Sequence, residues 1–571
     1  GIVASHVTKL LGTKGPRAVP IRWQPSPSAA IPSAARPSLG LQGSSTQSED
    51  PSGVDTAPPS PLLHMQTASS ATAPAAASAA SPLPHMVPHE VPSGARPDDA
   101  MAAAAPEAAE ATSSRVQRVS ATQSVPAHPL TRAMHFGGLG LGLAAGAAAA
   151  AVRQTVSGSE GGGLVMNDAN VDRLAGTLCR LRGAALKVGQ MLSFNDADVL
   201  PPPMQAAMER VRDGADWMPQ RQLHETLAAE LGAEWREQVA EFDETPFAAA
   251  SIGQVHRALL HDGRRVAIKV QYPGVADSIQ SDLWSMKQLV TYTGIVPKGL
   301  FLDRILEVAQ KELMQECDYE REAESTRKFK LLLAPYPEFS VPAVIPTLSS
   351  QRVLTTEWMP GLPIDRAAAL MSKSEKDRVG ARLLWLCFVE LAHFRFMQTD
   401  PNWSNFLYEP RTGQLSLIDF GACQPYDPTF SDEYLRLVRA CAEGPSQREA
   451  ILQHSLNLGF LTGQENQTML DAHVSAGLLV GEPFSAPQQP FNFGRQDISK
   501  RIASDVSTML KHRLTPPREE IYTLHRRLNG CFQLAARVGA TISAREILLD
   551  VYDRHEWHVE AEADAEAASA A

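Results

Sequence analysis

The spacing of apolar and polar residues changes several times along the chain. Between residues 160 and 240, apolar residues recur at the intervals of amphipathic helices, with a break at the prolines of 198–204. Residues 241–360 contain short strand-like runs, such as "RRVAIKVQY", around a long helical stretch near 302–333. The pattern is mostly helical again in residues 361–556. A small mixed lobe before a larger helical lobe is typical of protein kinases. We therefore predict an α+β, two-lobed kinase-like fold preceded by a helical extension.

The segments outside this pattern have compositions that predict no packed core. Residues 1–48 contain no acidic residue but do contain five Lys or Arg, and they are rich in Ser and Ala. This composition is typical of an organelle transit peptide, with an ordinary disordered tail as the alternative. Residues 49–133 form an Ala/Pro/Ser-rich, low-complexity linker, and residues 557–571 form an acidic tail. We therefore expect a disordered leader ahead of the folded part.

Residues 134–155 contain a Gly/Ala-rich run of seventeen uncharged residues, "FGGLGLGLAAGAAAAAV". This length is at the short limit for a helix that spans a bilayer. Three glycines at intervals of four residues lie along one helix face, and such a row permits close contact between membrane helices. These glycines are Gly138, Gly142 and Gly146. We predict a single membrane helix that supports a homodimer; the alternative is a flexible or buried Ala-rich segment.

Composition excludes some functional classes. The net charge of -11 and the pI near 5.8 argue against nucleic acid as a partner, because nucleic-acid-binding proteins carry basic patches. The six cysteines lie far apart with no C-x-x-C pair, so neither a disulfide framework nor a zinc site is supported. We expect buried, reduced thiols.

Short motifs occur in the order of the protein-kinase signature set. Lys269 ends the run "VAIK" on a predicted strand, where its amine can reach the α- and β-phosphates of ATP. Asp400 and Asn405 keep the D-x-x-x-x-N spacing of a catalytic loop, although Gln-Thr replaces the usual His-Arg. Asp419 in "LIDFGA" follows an apolar strand, where a carboxylate can hold Mg²⁺. We predict Lys269 and Asp400 as catalytic residues. Asn405 and Asp419 are the predicted ligands of Mg²⁺ or Mn²⁺, with ATP as the nucleotide.

The lysine needs an acidic partner, and "QKELMQECDYEREA" (310–323) offers several acids. On one helix Glu316 and Glu322 would point roughly 240° apart, so they can serve two purposes. We predict that Glu322 pairs with Lys269 as a third catalytic residue, while Glu316 and Asp318 engage another group. The alternative is an ordinary solvated acidic helix.

The glycine-rich loop of kinases has an unusual counterpart in residues 247–256. Laid on the template G-x-G-x-x-G-x-V, the chain keeps Gly253 and Val255 but has alanine at the first two glycine positions. A Cβ there disfavours positive φ and crowds the approach of the backbone to phosphates. We predict a stiffer loop that binds ATP in a way that discourages phosphoryl transfer to protein. Its predicted nucleotide contacts are Ala248, Ala249, Ala250 and Ser251.

The run "VLTTEWMPG" (353–361) is typical of a strand that leads into the hinge between kinase lobes. Backbone groups of Glu357 and Met359 are expected to bond an adenine edge, whereas Pro360 has no N–H and can offer only its carbonyl. The predicted adenine contacts are Glu357, Trp358, Met359 and Pro360.

With these residues assembled, the chain closely resembles the UbiB-like atypical kinase family, and within it the eukaryotic members required for coenzyme Q (ubiquinone) biosynthesis. The resemblance runs from about residue 134 to residue 553. It rests on long motifs: "LKVGQMLS" (186–193), "RVRDGADWMP" (210–219), "FAAASIGQVH" (247–256), "IKVQYPGVA" (268–276), "ECDYEREA" (316–323), "FMQTDPNWSNF" (396–406) and "LIDFGA" (417–422).

This resemblance implies a role for the remaining acids. In the family, a KxGQ motif, matched here by Lys187, Gly189 and Gln190, lies on a helical extension that folds over the site where a peptide substrate would bind. Its lysine pairs with an acidic ExD motif, matched here by Glu316 and Asp318. The family's nucleotide and metal residues are matched here by Lys269, Glu322, Asp400, Asn405 and Asp419.

The resemblance also implies a location and partners. A position in the mitochondrial inner membrane, facing the matrix, fits the leader and the Gly/Ala-rich segment; a plastid is the alternative. The implied partners are lipid quinone precursors, anionic membrane lipids and other coenzyme Q biosynthesis proteins. The leading hypothesis is a Mg²⁺-ATP-dependent ATPase or small-molecule kinase. The alternatives are a conventional protein kinase, a nucleotide-binding scaffold without phosphoryl transfer, and a plastid member of the family.

Overall fold

The computed structural model describes residues 134, 137–146, 149, 170, 173, 217–250, 252–293, 302–400, 402–496 and 498–558. All of these described residues belong to one compact unit. The predicted transit peptide and linker, most of the helical extension and most of the acidic tail lie outside the described residues. So do four predicted site residues: Lys187, Gly189, Gln190 and Ser251.

The described residues form four small sheets. Their strands are β1 (Val239–Phe242), β2 (Ala248–Ala249), β3 (Gly253–Leu260), β4 (Arg265–Gln271), β5 (Phe339–Ser340), β6 (Val353–Glu357), β7 (Leu362–Pro363), β8 (Phe396–Gln398), β9 (Phe406–Glu409), β10 (Gln414–Leu417), β11 (Cys423–Pro425), β12 (Phe491–Asn492) and β13 (Thr541–Ile542). The largest sheet has the order β1-β3-β4-β6, with β2 paired to β3. A second sheet has the order β5-β10-β9-β7, while β8 pairs with β11 and β12 with β13.

Helices follow and separate these strands. They are α1 (Gln220–Leu231), α2 (Val275–Thr293), α3 (Leu302–Glu316), α4 (Tyr319–Leu332), α5 (Ile364–Ala367), α6 (Lys373–Ala392), α7 (Pro428–Glu443), α8 (Arg448–Asn457), α9 (Gln467–Gly481), α10 (Ile498–His512), α11 (Glu519–Val538) and α12 (Ala544–Asp553). The described residues form two hydrophobic cores, one from residues up to 354 and the other from residues 329 onward. The predicted mixed helix and sheet composition is therefore confirmed, with the large sheet in the first part and most helices in the second.

The alternation of β4 explains why Lys269 points away from the core. Val266, Ile268 and Val270 are buried in the first core. Successive strand residues point to opposite faces, so Ala267 and Lys269 lie on the other face of the sheet. The strand therefore supplies both a core contact and a lysine that faces the second half of the molecule.

Most of helix α6 is buried in the second core. A capping box between Ser372 and Glu375 begins it, which satisfies backbone N–H groups of the first turn. Almost every residue from Val379 to Ala392 is buried, and a helix that is buried on all sides occupies a central position.

Five cysteines are described, and none of these five forms a disulfide. All five are buried, as the sequence predicted: Cys317, Cys387, Cys423, Cys441 and Cys531.

The Gly/Ala-rich segment is helical at residues 137–146, and Leu139 and Leu143 are buried in the first core. A Cβ on Gly146 would overlap the side chain of Asn170, whose Nδ2 donates to the carbonyl of Leu143 at 3.1 Å. The glycine row thus permits close approach of the protein's own residues. Within the described ranges, no helix combines the length and the apolar character needed to span a membrane.

We expect buried His473 on α9 to make the fold sensitive to acid. Its Nε2 lies 2.8 Å from the hydroxyl of Ser455 on α8, and burial lowers the pKa of His473 to about 4. The unfolded chain regains the ordinary pKa near 6.5 and therefore binds more protons between these values. The contribution of this group to stability is present above about pH 6.5 and is lost as the pH falls toward about 4.

We expect His473→Gln to flatten this decline, because glutamine can keep a hydrogen bond without titrating. Thermal denaturation between about pH 4 and pH 7.5 would measure the change, and the wild type should lose more Tm on acidification than the variant. His261→Gln, at an exposed position, serves as the control. Parallel loss of Tm in wild type and His473→Gln would show that His473 does not cause the acid sensitivity.

Candidate active site

The lysine of β4 meets carboxylates from two other elements. Its Nζ donates to Oε1 and Oε2 of Glu322 on α4, at 2.8 and 2.9 Å, and to Oδ2 of Asp419 at 3.3 Å. Glu322 is only 2% exposed, whereas Asp419 is about one-third exposed at its side chain. The ion pair expected between Lys269 and Glu322 is therefore present. The amine also lies 5.0 Å from the centre of the Tyr319 ring, a contact that the sequence did not suggest.

Charges within this cluster keep the lysine protonated. Burial alone would lower the pKa of Lys269, but Asp419 and Glu322 raise it well above its ordinary value. Burial raises the pKa of Glu322 to about 7, against the opposing effect of Lys269. The amine thus carries a positive charge at neutral pH, as a group that binds phosphate oxygens requires.

The prediction that Glu316 and Glu322 share one helix is wrong. α3 ends at Glu316, and α4 begins at Tyr319 after a short break. Asp318 causes this restart, because its carboxylate accepts a hydrogen bond from the N–H of Arg321 at 3.0 Å and caps α4. Glu322 pairs with Lys269 from α4, whereas Glu316 ends α3, so the two acids come from separate helices. The expected partner of Glu316 and Asp318, the KxGQ lysine, lies outside the described residues.

Asp400 and Asn405 form a second polar pair. Nδ2 of Asn405 donates to one carboxylate oxygen of Asp400 at 2.9 Å, and the N–H of Asn402 donates to the other at 3.2 Å. Asn405 ends a short 3₁₀ helix, Trp403–Asn405, which turns its side chain back toward Asp400. Because the amide nitrogen faces Asp400, the amide oxygen of Asn405 is available to a cation.

The donor set suits Mg²⁺. Among the described residues, no group of three or more His, Cys, Asp or Glu side chains could hold a metal. Mg²⁺ commonly binds to one or two protein oxygens and completes its shell with phosphate oxygens and water. The carboxylate of Asp419 and the amide oxygen of Asn405 match that requirement, so the residues present fit a Mg²⁺–nucleotide complex.

Backbone carbonyls after Asp419 are held from two sides. Arg321 on α4 donates to the carbonyl of Gly421 at 3.0 Å and also to that of Cys423. Thr399, beside Asp400, donates to the carbonyl of Ala422 through its N–H at 3.2 Å and its hydroxyl at 2.8 Å. These contacts join the loop of Asp400 to the loop of Asp419. Neither Arg321 nor Thr399 was predicted, because no local motif reveals partners that lie 100 and 23 residues away in the sequence.

The alanine loop is a tight hairpin. Ala248 and Ala249 on β2 pair with Val255 and Gln254 on β3. The N–H of Ala250 donates to the carbonyl of Gly253 at 2.8 Å and closes the turn. A Cβ at Gly253 would lie 2.5 Å from the Val270 carbonyl and 2.8 Å from the Tyr319 hydroxyl, so only glycine fits there. This explains why the third glycine of the template is kept.

The hinge residues differ in what they can offer to adenine. The N–H of Glu357 donates to the carbonyl of Ala343 at 2.8 Å, and the N–H of Trp358 donates to the carbonyl of Arg265 at 3.0 Å. Adenine contacts from Glu357 and Trp358 are therefore restricted to their carbonyls. Met359 and Pro360 follow directly and extend the hinge.

An aromatic group that was not predicted connects the alanine loop to the hinge. The rings of Phe247 and Trp358 meet edge to face with centres 4.9 Å apart. The guanidinium of Arg257 lies 5.2 Å from the centre of each ring. Phe247 immediately precedes the alanines, and this position was the signal available in the sequence.

Comparison with known proteins identifies the family of this chain. Residues 210–454 match the ABC1 atypical kinase-like domain family. The chain is 45% identical over 439 residues to a Danio rerio protein named atypical kinase COQ8B, mitochondrial, which covers 76% of this chain and 70% of that protein. The Rattus norvegicus protein of the same name is 45% identical over 437 residues, with 76% and 82% covered. Atypical kinase COQ8, mitochondrial, of Saccharomyces cerevisiae is 42% identical over 434 residues, with 76% and 86% covered.

The family match spans the whole polar cluster described above. Lys269, Glu322, Asp400, Asn405 and Asp419 all fall within residues 210–454. Identity of 42–45% extends over about three-quarters of the chain. This chain therefore belongs to the ABC1 (UbiB/COQ8) family of atypical kinases.

Proposed function

We propose that this protein is a Mg²⁺-ATP-dependent atypical kinase or ATPase that supports coenzyme Q biosynthesis on the matrix side of the mitochondrial inner membrane. The observation that supports it most strongly is the partly buried amine of Lys269 between Glu322 and Asp419. The hydrogen-bonded pair of Asp400 and Asn405 supports it further. Relatives named mitochondrial atypical kinases support the compartment and the pathway.

Each residue of the cluster has a role in this proposal. Lys269 binds the α- and β-phosphates and is held by Glu322. Asn405 and Asp419 hold Mg²⁺, which when bound neutralises charge on the phosphates. Asp400 orients the attacking oxygen or accepts its proton. Because these groups are fixed before the reaction, they stabilise developing charge without rearrangement.

The surrounding residues determine how the nucleotide binds. Residues 248–251 lie against the phosphates, and residues 357–360 bind the adenine. The KxGQ motif at 187–190 pairs with Glu316 and Asp318 and covers the site that a peptide would need. A small molecule or lipid is therefore the proposed acceptor, with water as the acceptor in the ATPase reaction.

The proposed partners follow from that acceptor. They are lipid quinone precursors, anionic membrane lipids and other proteins of coenzyme Q biosynthesis. The acidic composition, with its net charge of -11, does not favour broad electrostatic attraction to an anionic membrane. Attraction to lipid is therefore proposed through a local surface or through the apolar chain of the precursor.

We expect Ala250→Gly to alter nucleotide affinity and to produce autophosphorylation. Ala250 closes the hairpin through its N–H, so glycine would keep that bond while freeing the backbone to approach the phosphates differently. Isothermal titration with nucleotide and phosphopeptide mass spectrometry would measure both effects. Ala258→Gly, on β3 away from the turn, is a matched control. Wild-type behaviour of Ala250→Gly in both assays would remove the proposed role of the loop.

Complementation tests the proposed function. The full chain would be expressed in Saccharomyces cerevisiae cells that lack their COQ8 relative, and coenzyme Q would be quantified by mass spectrometry. We expect the wild type to restore coenzyme Q and Asp419→Asn to fail at equal abundance. Failure of the wild type to restore it would contradict the pathway assignment. Full restoration by Asp419→Asn would favour the scaffold alternative.

A further inference from the structure

One guanidinium connects the loop of Asp400 to two helices. Arg526 lies on α11 and is buried, with 7% of its surface exposed. Its Nη1 and Nη2 donate to both carboxylate oxygens of Glu312 on α3, at 3.1 and 2.9 Å. Its Nε donates to the carbonyl of Thr399 at 3.3 Å, and Nη2 also reaches the Thr399 hydroxyl at 3.4 Å. Thr399 precedes Asp400 directly in the chain.

The contacts continue from Thr399 to the segment after Asp419. The N–H and hydroxyl of Thr399 both donate to the carbonyl of Ala422. Arg526 therefore supports, through one residue, the loop that carries Asp400 and the segment that follows Asp419. The usual His-Arg of a kinase catalytic loop is absent here, and the arginine support comes from a helix more than one hundred residues later.

Charge around Arg526 also favours a positioning role. Its guanidinium faces the carboxylate of Glu312 in direct contact, and Asp400 and Glu316 lie near enough to stabilise its charge further. Glu316 ends α3 one helical turn after Glu312. A planar guanidinium can bind a carboxylate with two nitrogens and still donate to a carbonyl, whereas a lysine amine cannot reproduce this geometry.

We propose that Arg526 is a positioning residue, which fixes the peptide before Asp400 and ties the catalytic loop to the helix that ends at Glu316. The inference rests on the proposed function, because it assigns a purpose to the position of Asp400. Arg526 acts on the catalytic loop through Thr399. The surface pair of Lys311 and Glu519, at 2.7 Å, joins the same two helices without reaching the loop.

The test compares Arg526→Lys with Lys311→Met in the full chain. We expect Arg526→Lys to lower kcat for ATP hydrolysis by about ten- to a hundred-fold while KM for ATP stays within about two-fold, since misplacing a catalytic group affects turnover more than binding. Lys311→Met should leave both constants unchanged. Glu312→Gln should lower kcat as well, and its effect should not add to that of Arg526→Lys, because the two residues share one contact.

Hydrogen exchange provides a readout that does not require turnover. In the nucleotide-free protein, amides of residues 396–409 should exchange about ten-fold faster in Arg526→Lys than in wild type, and not in Lys311→Met. Wild-type protein that fails to hydrolyse ATP would overturn the proposed function, while the exchange result would still decide the role of Arg526. If Arg526→Lys does not fold, the test uses position 399 instead. Thr399→Val should lower kcat, whereas Thr399→Ser should keep kcat near the wild-type value because serine retains the hydroxyl. Unchanged kcat and exchange in Arg526→Lys, or in Thr399→Val where it is the variant used, would overturn the inference.

Discussion

Replacing Asp419 with asparagine is expected to lower Mg²⁺-dependent ATP hydrolysis by about a hundred-fold or more. Asparagine keeps the size of the side chain but removes the charge that holds Mg²⁺ and that helps to keep Lys269 protonated. The N–H of Gly421 donates to Oδ1 of Asp419 at 3.1 Å, and an amide oxygen can accept the same bond. The loop should therefore keep its shape, so the loss reflects chemistry rather than folding.

Steady-state release of phosphate would measure this effect. Asp471→Asn is the matched control, since Asp471 pairs with Arg448 at the surface of α8 and α9, away from the cluster. The control should hydrolyse ATP at the wild-type rate. Hydrolysis by Asp419→Asn at the rate of this control would contradict the metal assignment.

Removing the lysine should affect both activity and stability. Lys269→Met leaves Glu322 buried without its partner, and loss of one member of a buried ion pair costs about 3–5 kcal/mol. The folded-state pKa of Glu322, already raised to about 7, would rise further without Lys269, whereas the unfolded chain has the ordinary value near 4.5. At a pH above the unfolded pKa of Glu322 and below its raised folded pKa, the folded variant therefore binds more protons than the unfolded chain. Its free energy of unfolding falls as the pH rises through this range. We expect Lys269→Met to have a lower Tm at pH 8 than at pH 6, and to lose ATP binding at both.

The double variant Lys269→Met/Glu322→Gln separates packing from chemistry. It removes the unpaired buried charge, so its Tm should recover toward the wild-type value and should lose most of the pH dependence of the single variant. Its ATP hydrolysis should stay as low as that of Lys269→Met, because no amine contacts the phosphates. A double variant that regained hydrolysis would show that Lys269 is not required for catalysis.

Much of the site could be predicted because the kinase motifs are local. The alternation of one strand determines which face of the sheet Lys269 occupies, and one short turn determines the spacing of Asp400 and Asn405. The pairing of Lys269 with Glu322 required a contact across 53 residues, yet the acidic stretch offered few candidates. The helix break at Asp318 was missed, although aspartate is a favoured N-cap and gave an available signal.

Contacts between distant segments could not be predicted from one sequence. Arg526 bonds Thr399 and Glu312 across 127 and 214 residues, and no periodicity or motif relates these positions. The same limit applies to the Gly/Ala-rich segment. Its glycine spacing is compatible with a membrane helix. A row of small residues can equally pack against a polar segment of the same chain, and Gly146 contacts Asn170 in this structure.

Phosphate release from ATP by the purified full chain tests the central claim most directly. The assay would compare Mg²⁺ with a chelator, and would add vesicles of anionic lipid and phenolic mimics of quinone precursors, with mass spectrometry for phosphorylated lipid. We expect turnover that requires Mg²⁺, increases with vesicles or phenol, and is absent in Asp419→Asn. Binding of ATP without Mg²⁺-dependent release of phosphate or phosphorylation of any added acceptor would contradict it.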